Sequence, residues 1–387
     1  MSLIDPLQNN TTPWGDMMMD EDEVLTAMKG ERMSLTCAPG GENHAGMEII
    51  GRMPFKGEGF SAKDLRGLKS YFDGVMGEEN VELMDLNKLS GDEVVGGLKG
   101  EDEGVVLVLR KGGMEKIIEK NYDVGMYCDL KDIKWDGEYL DNNKYRSEKI
   151  NGEKVDMTVI LPDGATCGDI LKLPLTYDPQ RSVTFLVPKR YENKDLYGTV
   201  VKVPGQRRNK WARTNICCVA GREQKPAVYE GKGTIVNLNS VGKVDHGVKI
   251  LKEYMQKGLL GCGSSSKVEI NVVEGNRYYD LKKTGIGYHG DTERVVVICF
   301  SIGCDNYPLC WQWFKDGHPV GNNMCVRLNS GDVYIMSEKS VGADWKLRSK
   351  YTIRHAAGAP KYRSLKKWQD RKRKREGIVE INKKLKK

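Results

Sequence analysis

From about residue 155 onward the chain is a succession of short β-branched and aromatic runs separated by Gly, Asp, Asn and Pro. The runs fall at residues 157–161, 183–187, 199–203, 268–273, 294–302, 309–314 and 332–336, and one amphipathic segment, 248–257, interrupts them. Strands this short, joined by turns, leave no room for a crossover helix after each strand. The pattern therefore excludes alternating βαβ units and points to an antiparallel sandwich or jelly roll. The Asp316-Gly317 dipeptide between residues 311–314 and 324–328 is a two-residue hairpin signal.

The preceding sequence has a different texture. Residues 1–45 are polar, with Asn9-Asn10-Thr11-Thr12-Pro13 and Gly40-Gly41, and are expected to be poorly ordered. Residues 46–150 read as a small α+β region, with helical periodicity over 62–75 and a buried strand over 104–110. The expected organisation is thus mainly β, α+β overall: a smaller N-terminal region, a β-rich domain over 151–365, and a basic tail over 366–387. The tail holds eleven Lys and Arg against three acids, a net +8, which leaves the rest of the chain at −1 within the total of +7. A near-neutral body limits how far overall charge can argue for nucleic-acid binding.

A composition of 39% hydrophobic and 30% charged residues suits a soluble globular protein. No stretch approaches the roughly 18–20 apolar residues of a membrane span, and the acidic, Met-rich start does not read as a secretory signal. The ten cysteines are scattered and none has CxxC spacing, so reduced, mostly buried thiols in a cytosolic or nuclear compartment are expected.

The five histidines, His44, His246, His289, His318 and His355, make the search for a metal site short. In His289-Gly290-Asp291 an imidazole and a carboxylate sit two residues apart. On extended chain they share a face and can converge on one cation. Gly290 would permit close approach of another group to the backbone. Two histidines and one carboxylate are the donor set of non-haem Fe(II) oxygenases. For the second histidine, His355 lies far enough downstream for several strands to bring it back, whereas His318 follows the Asp316-Gly317 turn at a hairpin tip.

The run Asn276-Arg277-Tyr278 followed by Ile286-Gly287-Tyr288-His289-Gly290-Asp291-Thr292-Glu293 resembles the NxY…IGxHxDxE signature of AlkB-like dioxygenases. Residues 300–303 and Ser330-Gly331-Asp332 are similar to the strands that follow it there. The resemblance covers about residues 276–363, and extends to uncharacterised AlkB-like proteins of large DNA viruses and algae. It implies a double-stranded β-helix, Fe(II) held by His289, Asp291 and His355, and 2-oxoglutarate and O2 as co-substrates. Asn276 and Tyr278 would contact 2-oxoglutarate, with an arginine on its distal carboxylate. Arg348 and Arg354 resemble the family's terminal RxxxxxR pair, but in that alignment only Asp344 stands where the third ligand belongs. With His355 as ligand, Arg363 follows across the Gly358-Ala359-Pro360 turn, and this pairing is favoured, with Arg348 and Arg354 as alternatives.

For the substrate, the resemblance implies an alkylated nucleic-acid base. Arg207, Arg208, Lys210, Trp211 and Arg213 form a basic run with an aromatic, suited to phosphates and an exposed base, at the distance where the family places its substrate lid. Its other reading is a solvated hairpin. Residues 371–375 suggest a nuclear address or nucleic-acid arm, while Trp311 and Trp313 alternate as core residues. Rival functions are hydroxylation of a protein or small molecule at the same site, and a non-catalytic binding protein on the same fold.

Overall fold

A computed structural model describes residues 21–43, 48–135, 146–150, 153–157, 213–225, 232–366 and 368. The strands are β1 (Arg32–Ala38), β2 (Gly40–Asn43), β3 (Glu48–Gly51), β4 (Val81–Asp85), β5 (Val105–Leu109), β6 (Arg146–Ile150), β7 (Glu153–Met157) and β8 (Thr214–Val219). They continue with β9 (Ile235–Asn237), β10 (Val272–Tyr278), β11 (Gly285–His289), β12 (Val297–Gly303), β13 (Tyr307–Lys315), β14 (His318–Leu328), β15 (Val333–Met336) and β16 (Thr352–Gly358). The longer helices are α1 (Glu21–Gly30), α2 (Ala62–Met76), α3 (Tyr122–Lys131) and α4 (Gly242–Gly261).

Eight strands form one mixed sheet in the order β4-β5-β15-β12-β1-β10-β8-β9, and four form a second in the order β11-β16-β13-β14. Only the β8–β9 pairing is parallel among these described strands. Period-two alternation decides what each face of the large sheet carries. In β5, Val105, Leu107 and Leu109 join a core shared with the helices, while Val106 and Val108 join a core shared with the four-stranded sheet. In β12, Ile298, Phe300 and Ile302 face the helices, and Val297 and Cys299 face the other sheet. The architecture is a helical layer, a large sheet and a smaller sheet, strand-rich as expected.

The helical layer follows from local chemistry. Helix α2 starts where Ser61 and Asp64 satisfy each other's backbone N–H groups, with bonds of 3.1 and 2.8 Å. Its buried Leu65, Leu68, Phe72 and Met76 recur at helical spacing. Helix α4, longer than the 248–257 expectation, buries Val244, Val248, Leu251, Met255 and Leu259. A Cβ on its Gly258 would stand 2.7 Å from Tyr71 of α2, so the glycine sets how closely the helices approach.

Trp311 and Trp313 are fully buried in the core between the sheets, as alternation suggested. The indole N–H of Trp313 donates to the Leu86 carbonyl at 3.0 Å. Asp316 and Gly317 both take positive φ, 53° and 78°, in the turn joining β13 to β14, the conformation a two-residue hairpin requires.

Three expectations change. Residues 21–43, part of the stretch expected to be poorly ordered, form α1, β1 and β2, with β1 at the centre of the large sheet between β10 and β12. The physical reason is the alternation Met33, Leu35, Cys37 against Arg32, Ser34, Thr36, which gives one face to the helical core. Likewise β4 and β5 of the region expected as a small α+β unit over 46–150 hydrogen-bond into the same sheet as β15. Finally, Cys310 and Cys325, opposite one another on β13 and β14, form a disulfide with Cα atoms 4.0 Å apart, so not all thiols are free. The strands expected at 183–187 and 199–203, and nearly all of the tail, lie outside the described residues.

Gly275 of β10 packs directly beneath the fully buried Trp135, where an added Cβ would stand 2.9 Å from two ring carbons. Gly275→Val is expected to overpack this face and cost about 1–3 kcal/mol, read as a lowered urea midpoint with unchanged slope.

Candidate metal centre

Strand β11 ends at His289, which lies directly opposite His355 of β16 in the antiparallel register. Two histidines facing each other across adjacent strands bring their rings to 4.4 Å between centroids. Asp291 follows His289 after one residue and turns its carboxylate to both. Its Oδ1 is 3.3 Å from His289 Nε2 and 3.7 Å from His355 Nε2. One donor atom from each of the three residues lies within 4.8 Å of the others, the separation that a single cation bridges. Among the described residues this is the one His/Cys/Asp/Glu group with that geometry.

Neighbours fix these donors. His289 Nδ1 lies 2.8 Å from the Gly287 carbonyl and 3.1 Å from that of His355. A ring nitrogen bound to carbonyls carries the proton, so Nε2 presents its lone pair to the centre. His355 is buried, and its burial, followed by the neighbouring His289, lowers its pKa to about 3. It is therefore a neutral imidazole, the ligating form, at neutral pH. Burial alone would raise Asp291, but His355, Arg294 and His289 more than offset it and hold the carboxyl below the usual carboxylate range. The backbone is also constrained. A Cβ at Gly290 would stand 2.0 Å from the Gly342 carbonyl oxygen, so this glycine admits the chain around Gly342.

Arg294, not among the residues expected from sequence to form the site, underlies the carboxylate. It is 4% exposed, bonds Glu274 through Nη2, pairs with Glu293 at 3.0 Å and approaches Asp291 Oδ2 at 3.6 Å through Nε. Its position three residues after Asp291 was the available signal.

The three donors line a cavity of about 790 Å³ between the sheets. Its walls include Asn276 and Tyr278 of β10, which project from the cavity face of that strand together with Glu274. The Asn276 side-chain oxygen accepts from Arg213 Nε at 2.6 Å, and its amide donates to Glu274 at 2.9 Å. Burial pushes the Tyr278 phenol up to about 12. Arg348 and Arg354 also line the cavity, the latter with its guanidinium 4.2 Å from the Phe314 ring centroid and 5.2 Å from that of Trp345. Arg363 is placed differently: its Nε donates to the Gly358 carbonyl at 2.8 Å, and it forms no part of the cavity wall. Asp344 pairs with Lys339 at 2.8 Å, and His318 begins β14 at the hairpin, so neither joins the donor group. Of the basic run only Arg213 is described, and it lines the cavity; Arg207, Arg208, Lys210 and Trp211 lie outside the described residues. Two imidazoles and one carboxylate, with the Arg294 cation beside them, could hold a metal ion.

Among the described residues no helix is long and apolar enough to cross a membrane. No family model matches the chain. No solved structure matches it either. A curated relative, the uncharacterised protein R156 of Acanthamoeba polyphaga mimivirus, is 30% identical over 341 residues. That alignment covers 87% of this chain and 99% of the relative, so nearly the whole of both sequences is shared. The chain belongs to the same family as this mimivirus protein.

Proposed function

We propose that the protein is an Fe(II)- and 2-oxoglutarate-dependent dioxygenase of the AlkB-like type, on a double-stranded β-helix, that oxidises an alkyl group on a nucleic-acid base. The observation that carries this reading is the convergence of His289, Asp291 and His355 on one point inside the cavity. His289, Asp291 and His355 would hold Fe(II) through three donors and would leave room at the ion for a keto acid and O2. Asn276 and Tyr278 on the cavity wall, and two sheets enclosing the site, are further support.

Bound there, Fe(II) with 2-oxoglutarate and O2 supplies an oxidant for a substrate C–H bond. The chain's own residues do the positioning. The Gly287 carbonyl holds the His289 tautomer, Arg294 holds the Asp291 carboxylate, and burial keeps His355 neutral. For the substrate, the cavity lining includes the cationic Arg348, Arg354 and Lys361 together with the aromatic Trp345 and Trp368. That combination favours a substrate that is both anionic and aromatic.

Anaerobic addition of Fe(II) and 2-oxoglutarate is expected to give a weak visible charge-transfer band that His355→Ala abolishes. Under air, succinate formation is expected to rise with methylated oligonucleotides and not with peptides. Folded wild-type protein that gives no band would remove the dioxygenase reading. Stimulation by peptides alone would move the substrate to a protein side chain.

A further inference from the structure

The alternation of β1 that sends Met33, Leu35 and Cys37 to the helical core sends Arg32, Ser34 and Thr36 to the cavity. Arg32 is fully buried, opposite Tyr278 of β10 on one side and Gly303 of β12 on the other. Its Nη1 donates to the Cys304 carbonyl at 2.9 Å, and its Cζ stands 5.2 Å from the Tyr307 ring centroid. Its Nε and Nη2 have no hydrogen-bond partner, and no described carboxylate pairs with it. Among the other buried or half-buried arginines described, Arg294 is matched by Glu274, Arg277 by Glu31 and Arg110 by Asp332, while Arg354, which also lacks a carboxylate partner, is stacked against Phe314 and Trp345. A guanidinium stays charged when buried, so one without a counterion is strongly disfavoured unless a ligand brings the anion.

The Tyr307 hydroxyl is a second buried polar group without a partner, and it stands 2.8 Å from where a Cβ on Gly358 would be. Gly358 is three residues beyond His355 on β16, roughly 10 Å at the rise of a strand. A five-carbon diacid fills that span once a metal–oxygen bond of about 2 Å and a hydrogen bond of about 3 Å are counted at its ends.

We infer that Arg32, with the Tyr307 hydroxyl, binds the carboxylate of 2-oxoglutarate remote from the metal, so that the N-terminal strand completes the site. The inference rests on the dioxygenase reading. It replaces the arginines suggested by sequence, since Arg363 is engaged with the Gly358 carbonyl, Arg354 is stacked between aromatic rings and Arg348 is exposed at the cavity rim.

The test compares 2-oxoglutarate with 2-oxobutanoate, which keeps the keto-acid head and lacks the remote carboxylate, in anaerobic Fe(II) titrations read by the chelate band. Wild type is expected to prefer 2-oxoglutarate on the order of 100-fold, the size of a lost charge-assisted contact. Arg32→Gln is expected to bind the two acids alike, Arg32→Lys to recover part of the preference, and Arg363→Gln to keep all of it. The melting temperature of Arg32→Gln without ligand should equal or exceed that of wild type, while its rise on adding 2-oxoglutarate should vanish. Should Arg32→Gln not fold, the wild-type preference and the Arg32→Lys variant decide. A chelate that forms in wild type without preference for the diacid, or a preference that survives Arg32→Gln, overturns the assignment of Arg32 and leaves the dioxygenase reading intact. Absence of any chelate in wild type overturns both.

Discussion

Asp291→Asn is expected to lower Fe(II) affinity by more than about 100-fold, beyond the usual effect of changing a residue that merely supports a ligand. The melting temperature should fall, since the lost charge also contributes to stability at neutral pH, but the protein should remain folded at room temperature. Asp291 is the sole carboxylate of the donor set and is held ionised, while burial keeps His355 neutral. The metal-free site therefore presents the carboxylate charge beside the neutral His355 imidazole at neutral pH, and the asparagine amide keeps the shape while removing the charge. The fold is spared because Arg294 retains Glu274 and Glu293 as partners. Calorimetric titration with Fe(II) under nitrogen, beside thermal melts, measures both quantities. Asp344→Asn is the matched control, since Asp344 is paired with Lys339 and stands outside the donor group. Iron affinity within threefold of wild type in Asp291→Asn would show that the cation site is elsewhere.

The parts of this site legible in the sequence were those written locally. His289 and Asp291 could be read as a pair because extended chain puts alternate residues on one face. His355 could be favoured over His318 because one lies far enough downstream for several strands to return it and the other sits beside a turn, and the structure sets His355 opposite His289. What could not be read is the pairing of residues far apart along the chain. Strand β1 has a period-two pattern, yet its polar face looks like loop until it is known that Arg32, Ser34 and Thr36 line a cavity beside β10. Arg32 is thus invisible to any search that looks downstream of the HxD motif. Arg294 is the opposite case, adjacent in sequence but significant only because Glu274 on another strand meets it. The Cys310–Cys325 bridge likewise depends on the β13–β14 register, which the bulge between Trp311 and Trp313 shifts.

Removal of the Arg294 guanidinium should have the largest effect on stability. Glu274, Asp291 and Glu293 all pair with it, and Glu274 is 2% exposed. Glu274 also accepts the backbone N–H of Glu42 on β2 and the amide of Asn276 on its own strand at 3.0 and 2.9 Å, so it cannot swing away to solvent without breaking both contacts. Arg294→Met keeps much of the side-chain length but leaves three carboxylates facing one another. Breaking a buried ion pair on one side typically costs about 3–5 kcal/mol, and that loss is expected in urea unfolding at pH 7. The pH dependence carries the sign. In wild type, Asp291 titrates below its unfolded value, so its contribution is present above the unfolded carboxyl pKa of about 4 and is lost as pH falls through the folded value. In the variant the uncompensated carboxylates titrate above their unfolded values, so the deficit should shrink on acidification toward pH 5. Adding Glu274→Gln to Arg294→Met should recover part of the loss at pH 7, and the double-mutant cycle isolates their coupling. A deficit below about 1 kcal/mol, or one that does not change with pH, would mean that water or local rearrangement supplies what Arg294 supplies here.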